Sequence, residues 1–171
     1  MKGKQKVDRP VRTNVVVFCS RALIGELLAQ SLRSAAEVSG CILVRTGEEA
    51  LAAVGRSRAE ILIVDPASVG EDPFLIAHRA SRARKGLRTI VVASEAAPGW
   101  VARALDIGAS AFLGESAETG DIRRAIRSAL ADTRFFTPCA ARIVADFAVG
   151  GRRYPKLDSG EVDLLRRISE G

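Results

Sequence analysis

The sequence predicts an α/β domain built on a doubly wound, five-stranded parallel sheet. Three observations predict it. Short apolar runs alternate with amphipathic helical stretches five times within about 120 residues, which is the pattern of repeated strand–helix–strand units. The central run, Glu60-Ile61-Leu62-Ile63-Val64-Asp65, is apolar throughout its middle and too short for a helix, as suits a strand buried on both faces. That run ends on a carboxylate, Asp65, at the strand edge where open α/β sheets collect their ligands and chemistry.

The elements follow in order. Residues 1–12 are polar, with Lys2, Lys4, Lys6 and Arg9, and are read as a disordered basic tail. Asn14 to Phe18 forms the first strand and stops at Cys19-Ser20. A helix from about Arg21 to Arg33 places Leu23, Ile24, Leu27, Leu28 and Leu32 at helical spacing. Cys41 to Val44 is a second strand. Thr46-Gly47-Glu48-Glu49 is a capping-box pattern that opens a helix through Leu51 and Val54. The Asp65 strand follows, then a loop to Asp72 and a helix from about Pro73 to Arg84, closed by Lys85-Gly86.

Thr89 to Ala93 is the fourth strand. Pro98-Gly99 starts a helix through Trp100, Val101, Ala104 and Leu105. Ala111-Phe112-Leu113 is a short fifth strand, and Asp121 to Leu130 a fifth helix. The expected strand order is 2-1-3-4-5, as in flavodoxin-like domains. Thr137-Pro138 pairs an N-cap with proline at the first helical position and starts a sixth helix to about Phe147. Val149 to Pro155 has linker composition.

The totals narrow the function. Of 171 residues, 47% are hydrophobic and 27% charged, the balance of a globular protein. No apolar run approaches the roughly 20 residues that span a bilayer, and no signal-peptide pattern follows the basic start, so a cytoplasmic location is expected. The net charge of +6 suits a nucleic-acid partner and equally suits a basic, arginine-rich chain. Three cysteines without metal spacing and a single histidine, His78, build neither a zinc site nor a triad. No glycine-rich phosphate loop follows the first strand.

Ala104-Leu105-Asp106-Ile107-Gly108-Ala109-Ser110-Ala111-Phe112-Leu113, Arg134-Phe135-Phe136-Thr137-Pro138 and Leu157 to Gly171, in this order and spacing, resemble a response regulator of the NarL/FixJ group. The resemblance implies a CheY-like receiver domain over residues 13–133. It implies a linker helix and linker over 134–156, and the opening of a LuxR-type helix-turn-helix over 157–171. Phosphoryl transfer from a histidine kinase to an aspartate is the family's chemistry, and Asp65 falls on the acceptor position. The acidic pair that holds Mg²⁺ falls on Cys19 and Ser20, the hydroxyl position on Ala93, and the lysine position on Glu115. The resemblance therefore implies a degenerate pocket, no enzyme activity and no cofactor, Mg²⁺ included.

Arg21, one residue past the acidic-pair position, is the candidate counter-cation for Asp65. Trp100 and Phe112 fall on the family's α4–β5–α5 interface, with Phe112 at its aromatic switch position. Trp100 reads either as a packing residue or as an exposed anchor for a partner. Phe135-Phe136-Thr137 begins like a cyclic-dinucleotide motif of some relatives, but Pro138 stands where that motif needs arginine. Cys19 with Cys41 offers a redox alternative. The expected partners are a second copy of the chain, DNA through the C-terminal part, and a partner protein. Two rival readings remain: a stand-alone pseudo-receiver that binds proteins, and a working receiver that uses Asp65 with Asp72 or Glu95 gathering Mg²⁺.

Overall fold

A computed structural model describes residues 12–150. The tail before Arg12, and the linker and helix-turn-helix opening after Gly150, lie outside the described residues. Strands β1 (Thr13–Phe18), β2 (Val38–Val44), β3 (Ile61–Val64), β4 (Arg88–Val92), β5 (Ala111–Leu113) and β6 (Phe135–Phe136) form one sheet. Its order is β2-β1-β3-β4-β5-β6, and every pairing is parallel.

The sheet is thus six-stranded, which corrects the five-stranded order 2-1-3-4-5. Phe135 pairs with Ala111 and Phe136 with Phe112, adding a strand beyond β5. Two residues carry no alternation of polarity, so the sequence pattern alone cannot reveal such a strand.

Among the described residues six helices cover the sheet: α1 (Ala22–Arg33), α2 (Gly47–Ser57), α3 (Pro73–Ala83), α4 (Pro98–Asp106), α5 (Thr119–Leu130) and α6 (Pro138–Val149). Strand residues alternate between the two faces, as the pleat requires. Val16, Phe18, Leu62 and Val64 join one core with α2, α3, α4 and α6. Val15, Val17, Ile61 and Ile63 join the other with α1 and α5. Ala140, Ala141 and Val144 of α6 are buried in the same core as Val101 and Ala104 of α4. Trp100, Ile143 and Phe147 pack on its margin.

Local signals set the helix starts. The Thr46 capping box is closed in both directions: Glu49 N–H donates to Thr46 Oγ1 at 3.2 Å, and Thr46 N–H to Glu49 Oε2 at 3.3 Å. Asp72 caps α3, with its Oδ1 accepting from Phe74 N–H at 3.0 Å. α1 has no side-chain cap; its Arg21 N-cap side chain is used elsewhere.

The helix α1 is amphipathic in an unexpected way. Gly25, Ala29 and Leu32 are buried. Leu23, Ile24 and Leu27 are 70%, 42% and 55% exposed. The small Gly25 and Ala29 face the sheet, and larger leucines point outward.

The loop before β2 is tied to α5. Buried Glu37 accepts from Arg123 Nε at 3.1 Å and from Arg127 Nη1 at 2.5 Å. Burial alone would push the Glu37 carboxyl up. The bonds from Arg123, from its own backbone and from Arg127 outweigh burial and hold it below the usual carboxylate range. A lowered folded-state pKa stabilises above the ordinary range, and that stabilisation is lost as pH falls through the folded value. Glu37→Gln is expected to cost about 1 kcal/mol at neutral pH and to flatten the acid limb. Urea midpoints measured from neutral to acid pH should converge for the two proteins; parallel curves would refute the linkage.

Phe136 is 3% exposed although its strand is only two residues long. Phe136→Ala should cost about 3–5 kcal/mol in chemical denaturation, whereas Val149→Ala, on an exposed side chain, should change little. A loss below about 1 kcal/mol would mean that β6 stands apart from the cooperative core.

Candidate functional site

The site forms where β1 and β3 end side by side. Phe18 is opposite Val64 in the parallel register, so the residues that follow, Cys19 and Asp65, leave the sheet together. Asp65 N–H donates to Phe18 O at 3.1 Å and fixes that corner. Asp65 itself is 2% exposed. A carboxylate that deep needs opposite charge and hydrogen bonds to offset its lost hydration.

Arg21 supplies both. Its Nε–H donates to Asp65 Oδ2 at 2.7 Å and its Nη2–H to Oδ1 at 3.0 Å, a two-pronged fork. The hydrogen bond to Asp65 raises the Arg21 pKa further, so the cation is permanent. Two further donors complete the shell. The Cys19 thiol donates to Oδ2 at 3.3 Å, and Ala67 N–H donates to Oδ1 at 3.0 Å. Burial first, then the bond to Asp65, push the Cys19 thiol pKa up. The thiol therefore stays protonated and donating at neutral pH, opposite to the thiolate a redox sensor needs.

Neighbouring loops are clasped over this pair. Ser20 N–H donates to Ser68 Oγ at 3.0 Å, and Val69 N–H donates to Ser20 Oγ at 2.9 Å. Arg45, at the end of β2, holds the Arg21 loop from behind. Its Nη1 lies 3.2, 3.1 and 3.2 Å from the carbonyl oxygens of Cys19, Arg21 and Ala22. Its Nη2 pairs with Glu26 at 2.9 Å. Gly25 makes this approach feasible, because a Cβ there would lie 2.8 Å from Arg45 Nη1.

The remaining predicted residues do not converge on Asp65 through any bond. Ala93 is buried at the end of β4, with its N–H donating to Leu113 O at 2.9 Å. The Glu115 carboxylate turns to the β4–α4 loop and accepts from Ala96 N–H at 2.6 Å. Phe112 is fully buried, and Trp100 is half-buried on the core margin. Asp72 is taken by its capping role and by an ion pair with Arg103, whose guanidinium also lies 4.5 Å from the Phe74 ring centroid. Glu95 is exposed.

These residues do not fit a Mg²⁺ ion. A hard divalent ion wants several oxygen ligands. Both Asp65 oxygens face a guanidinium, Cys19 presents an S–H, and Ser20 Oγ is engaged by Val69. Among the described residues no group of three or more His, Cys, Asp or Glu could hold a metal ion. Among them, too, no helix is long and apolar enough to cross a membrane.

Sequence reasoning passed over Arg45, Ser68 and Ala67 N–H, and read Thr137 as the N-cap of α6, where its side chain makes no cap bond. Thr137 Oγ1 accepts from Gly114 N–H at 3.1 Å and its own N–H donates to Phe112 O at 3.1 Å. The start of α6 is thereby pinned to the loop that carries Glu115. Arg45, Ser68 and Ala67 carry no motif; only the packed chain brings them to the site.

The architecture is that of a receiver domain. No family model matches the chain, and no curated protein matches it in sequence. Solved structures match it closely in shape. A two-component response regulator of the LuxR family from Aurantimonas sp. SI85-9A1 superposes with a TM-score of 0.74 at 15% identity, covering 81% of this chain and 99% of that one. The RcsB response regulator of Salmonella typhimurium gives 0.69 at 19% identity, covering 94% and 78%. The isolated REC domain of RcsB from Salmonella enterica serovar Typhimurium, with phosphomimetic BeF3-, gives 0.67 at 17% identity, covering 77% and 98%. Likeness at this level of identity establishes the fold: the chain has the receiver fold of response regulators.

Removing one member of the ion pair leaves the other buried without its counter-charge. Arg21→Met and Asp65→Asn should each cost about 1.5–3 kcal/mol, and the double variant should cost less than the two combined. Urea denaturation of the four proteins checks this. Additive losses would show that the two side chains do not stabilise each other.

Proposed function

We propose that this chain is the regulatory receiver of an atypical response regulator whose acceptor-position carboxylate, Asp65, is held by Arg21 and is not switched by phosphorylation. The observation that carries the reading is the two-pronged Arg21–Asp65 bond at 2.7 and 3.0 Å around a carboxylate that is 2% exposed. A phosphoryl group arriving there would have to displace the guanidinium. It would also meet no metal ligands, no lysine and no hydroxyl at the end of β4. Those positioned charges ordinarily supply several kcal/mol.

Regulation then rests on association. The family's α4–β5–α5 surface is crowded here, because β6 pairs with β5 and α6 shares a core with α4. The outward leucines of α1 suit a second copy of this chain better. Leu23, Ile24 and Leu27 form a contiguous apolar face of the kind that soluble proteins cover. RcsB has been solved bound to a promoter in the presence of BeF3-. By analogy, association of this receiver controls DNA binding by a LuxR-type segment beginning near Leu157. A partner protein on the same α1 face is the second form of the proposal.

Two measurements test it. Trp100 is the sole tryptophan, and its fluorescence should show no saturable change with millimolar Mg²⁺ followed by beryllofluoride. A saturable change that Asp65→Asn abolishes would restore the phosphorylatable reading. Light scattering should report a dimer that Leu23→Glu with Leu27→Glu converts to monomer. A wild-type monomer would remove self-association and leave the partner protein.

A further inference from the structure

Cations without a carboxylate partner gather at the edge of the sheet where its strands begin. In a parallel α/β domain each helix runs back along the strands, so helix C-termini gather where strands begin. Asn14 Nδ2 donates to Ser57 O at 3.2 Å and anchors the end of α2 at that edge. Glu60 N–H donates to Asn14 O, Arg88 N–H to Glu60 O, and Leu87 N–H to Arg84 O, at 3.1, 2.9 and 3.3 Å. This chain of bonds sets the Ser57–Arg58 corner beside the Arg84–Arg88 corner. Arg56, Arg58, Arg79, Arg82, Arg84 and Lys85 lie on these two helices and corners. None of the six forms an ion pair with a described residue. Arg88, on the same edge, is already neutralised by Asp132 at 2.8 Å.

Helix dipoles explain part of this. A cation in the last turn offsets the partial negative charge there, worth roughly 0.3–1 kcal/mol. Arg56 and Arg82 hold those positions in α2 and α3. Arg58, Arg79, Arg84 and Lys85 are surplus to that need. Glu60 and the Arg88-paired Asp132 are the carboxylates named at these corners, and the cations outnumber them, which is mildly unfavourable in the free protein and favourable toward an anion.

We propose that the C-terminal end of the α2–α3 layer is an electrostatic contact surface for nucleic-acid backbone. Five of the six cations are arginines, whose forked donors match phosphate oxygens. They are spread across two helices and two corners, which suits a repeating row of phosphates rather than one small anion. Two exposed apolar side chains border the patch, Leu75 one turn from Arg79 on α3 and Ile42 beside Arg56, so an anionic lipid surface is an outcome the test must separate from nucleic acid. The opposite end of the sheet carries Glu48, Glu49, Glu95, Glu115 and Glu118, which makes a head-to-tail second copy the rival occupant. The proposal does not depend on the Asp65 reading.

Fluorescence anisotropy of a labelled DNA duplex of arbitrary sequence, titrated with the full chain over a salt series, tests it. Arg79→Gln with Arg82→Gln removes two patch charges. Arg124→Gln with Arg142→Gln removes two exposed charges elsewhere and keeps both termini intact. Each lost phosphate contact lowers the log–log salt slope by about 0.9, so the patch variant should lower it by about 2 and weaken binding. The control should leave the slope unchanged. Equal slopes in the two variants would overturn the proposal. So would a patch variant that binds DNA normally but loses self-association or loses binding to vesicles of anionic lipid. Because neither variant touches the Asp65 pocket, beryllofluoride results stay independent of this outcome.

Discussion

A carboxylate buried at the end of the central strand is the constraint on which this structure turns. Asp65 cannot keep its charge there without a counter-ion, and the fold provides one locally. Arg21 is the N-cap residue of α1, so its side chain starts within reach of the β3 end. The cost of that choice is visible: α1 begins without a side-chain cap. Arg45 and Gly25 then keep the Arg21 loop in place, and Ser20 and Ser68 close the neighbouring loop over it. Cys19, Ser20, Arg21, Arg45, Asp65 and Ser68 are thus linked by hydrogen bonds into one corner.

A similar tie is made at the next strand edge. Glu115 fastens the β4–α4 loop through Ala96 N–H. Thr137 ties the Glu115 loop to the start of α6. Here each loop has an internal partner, and α6 is built into the core beside α4.

Much of this was legible in the residues. Apolar runs and capping signals located β1 to β5 and the helices, because buried parallel strands need continuous apolar side chains. Asp65 could be singled out from its place at a strand end, and Arg21 from the resemblance, which puts it one residue past the acidic-pair position. Other features were not legible, for physical reasons. β6 is two residues long and has no period. The outward face of α1 could not be told from its inward face, since small residues facing the sheet and leucines facing out share the same spacing. Arg45 reaches the site from a strand edge, which only packing reveals. The surplus cations of α2 and α3 are distant in sequence and meet only because helix ends gather at one edge.

The most direct test of the central claim is the ¹⁵N side-chain spectrum of the arginines, with Asp65→Asn used to identify the Arg21 Nε–H signal. A permanent bond to the buried carboxylate predicts a slowly exchanging, displaced Arg21 resonance that ignores millimolar Mg²⁺ and beryllofluoride. A signal that coincides with the exposed arginines, or that shifts saturably with Mg²⁺, would contradict it and show a pocket still open to phosphate.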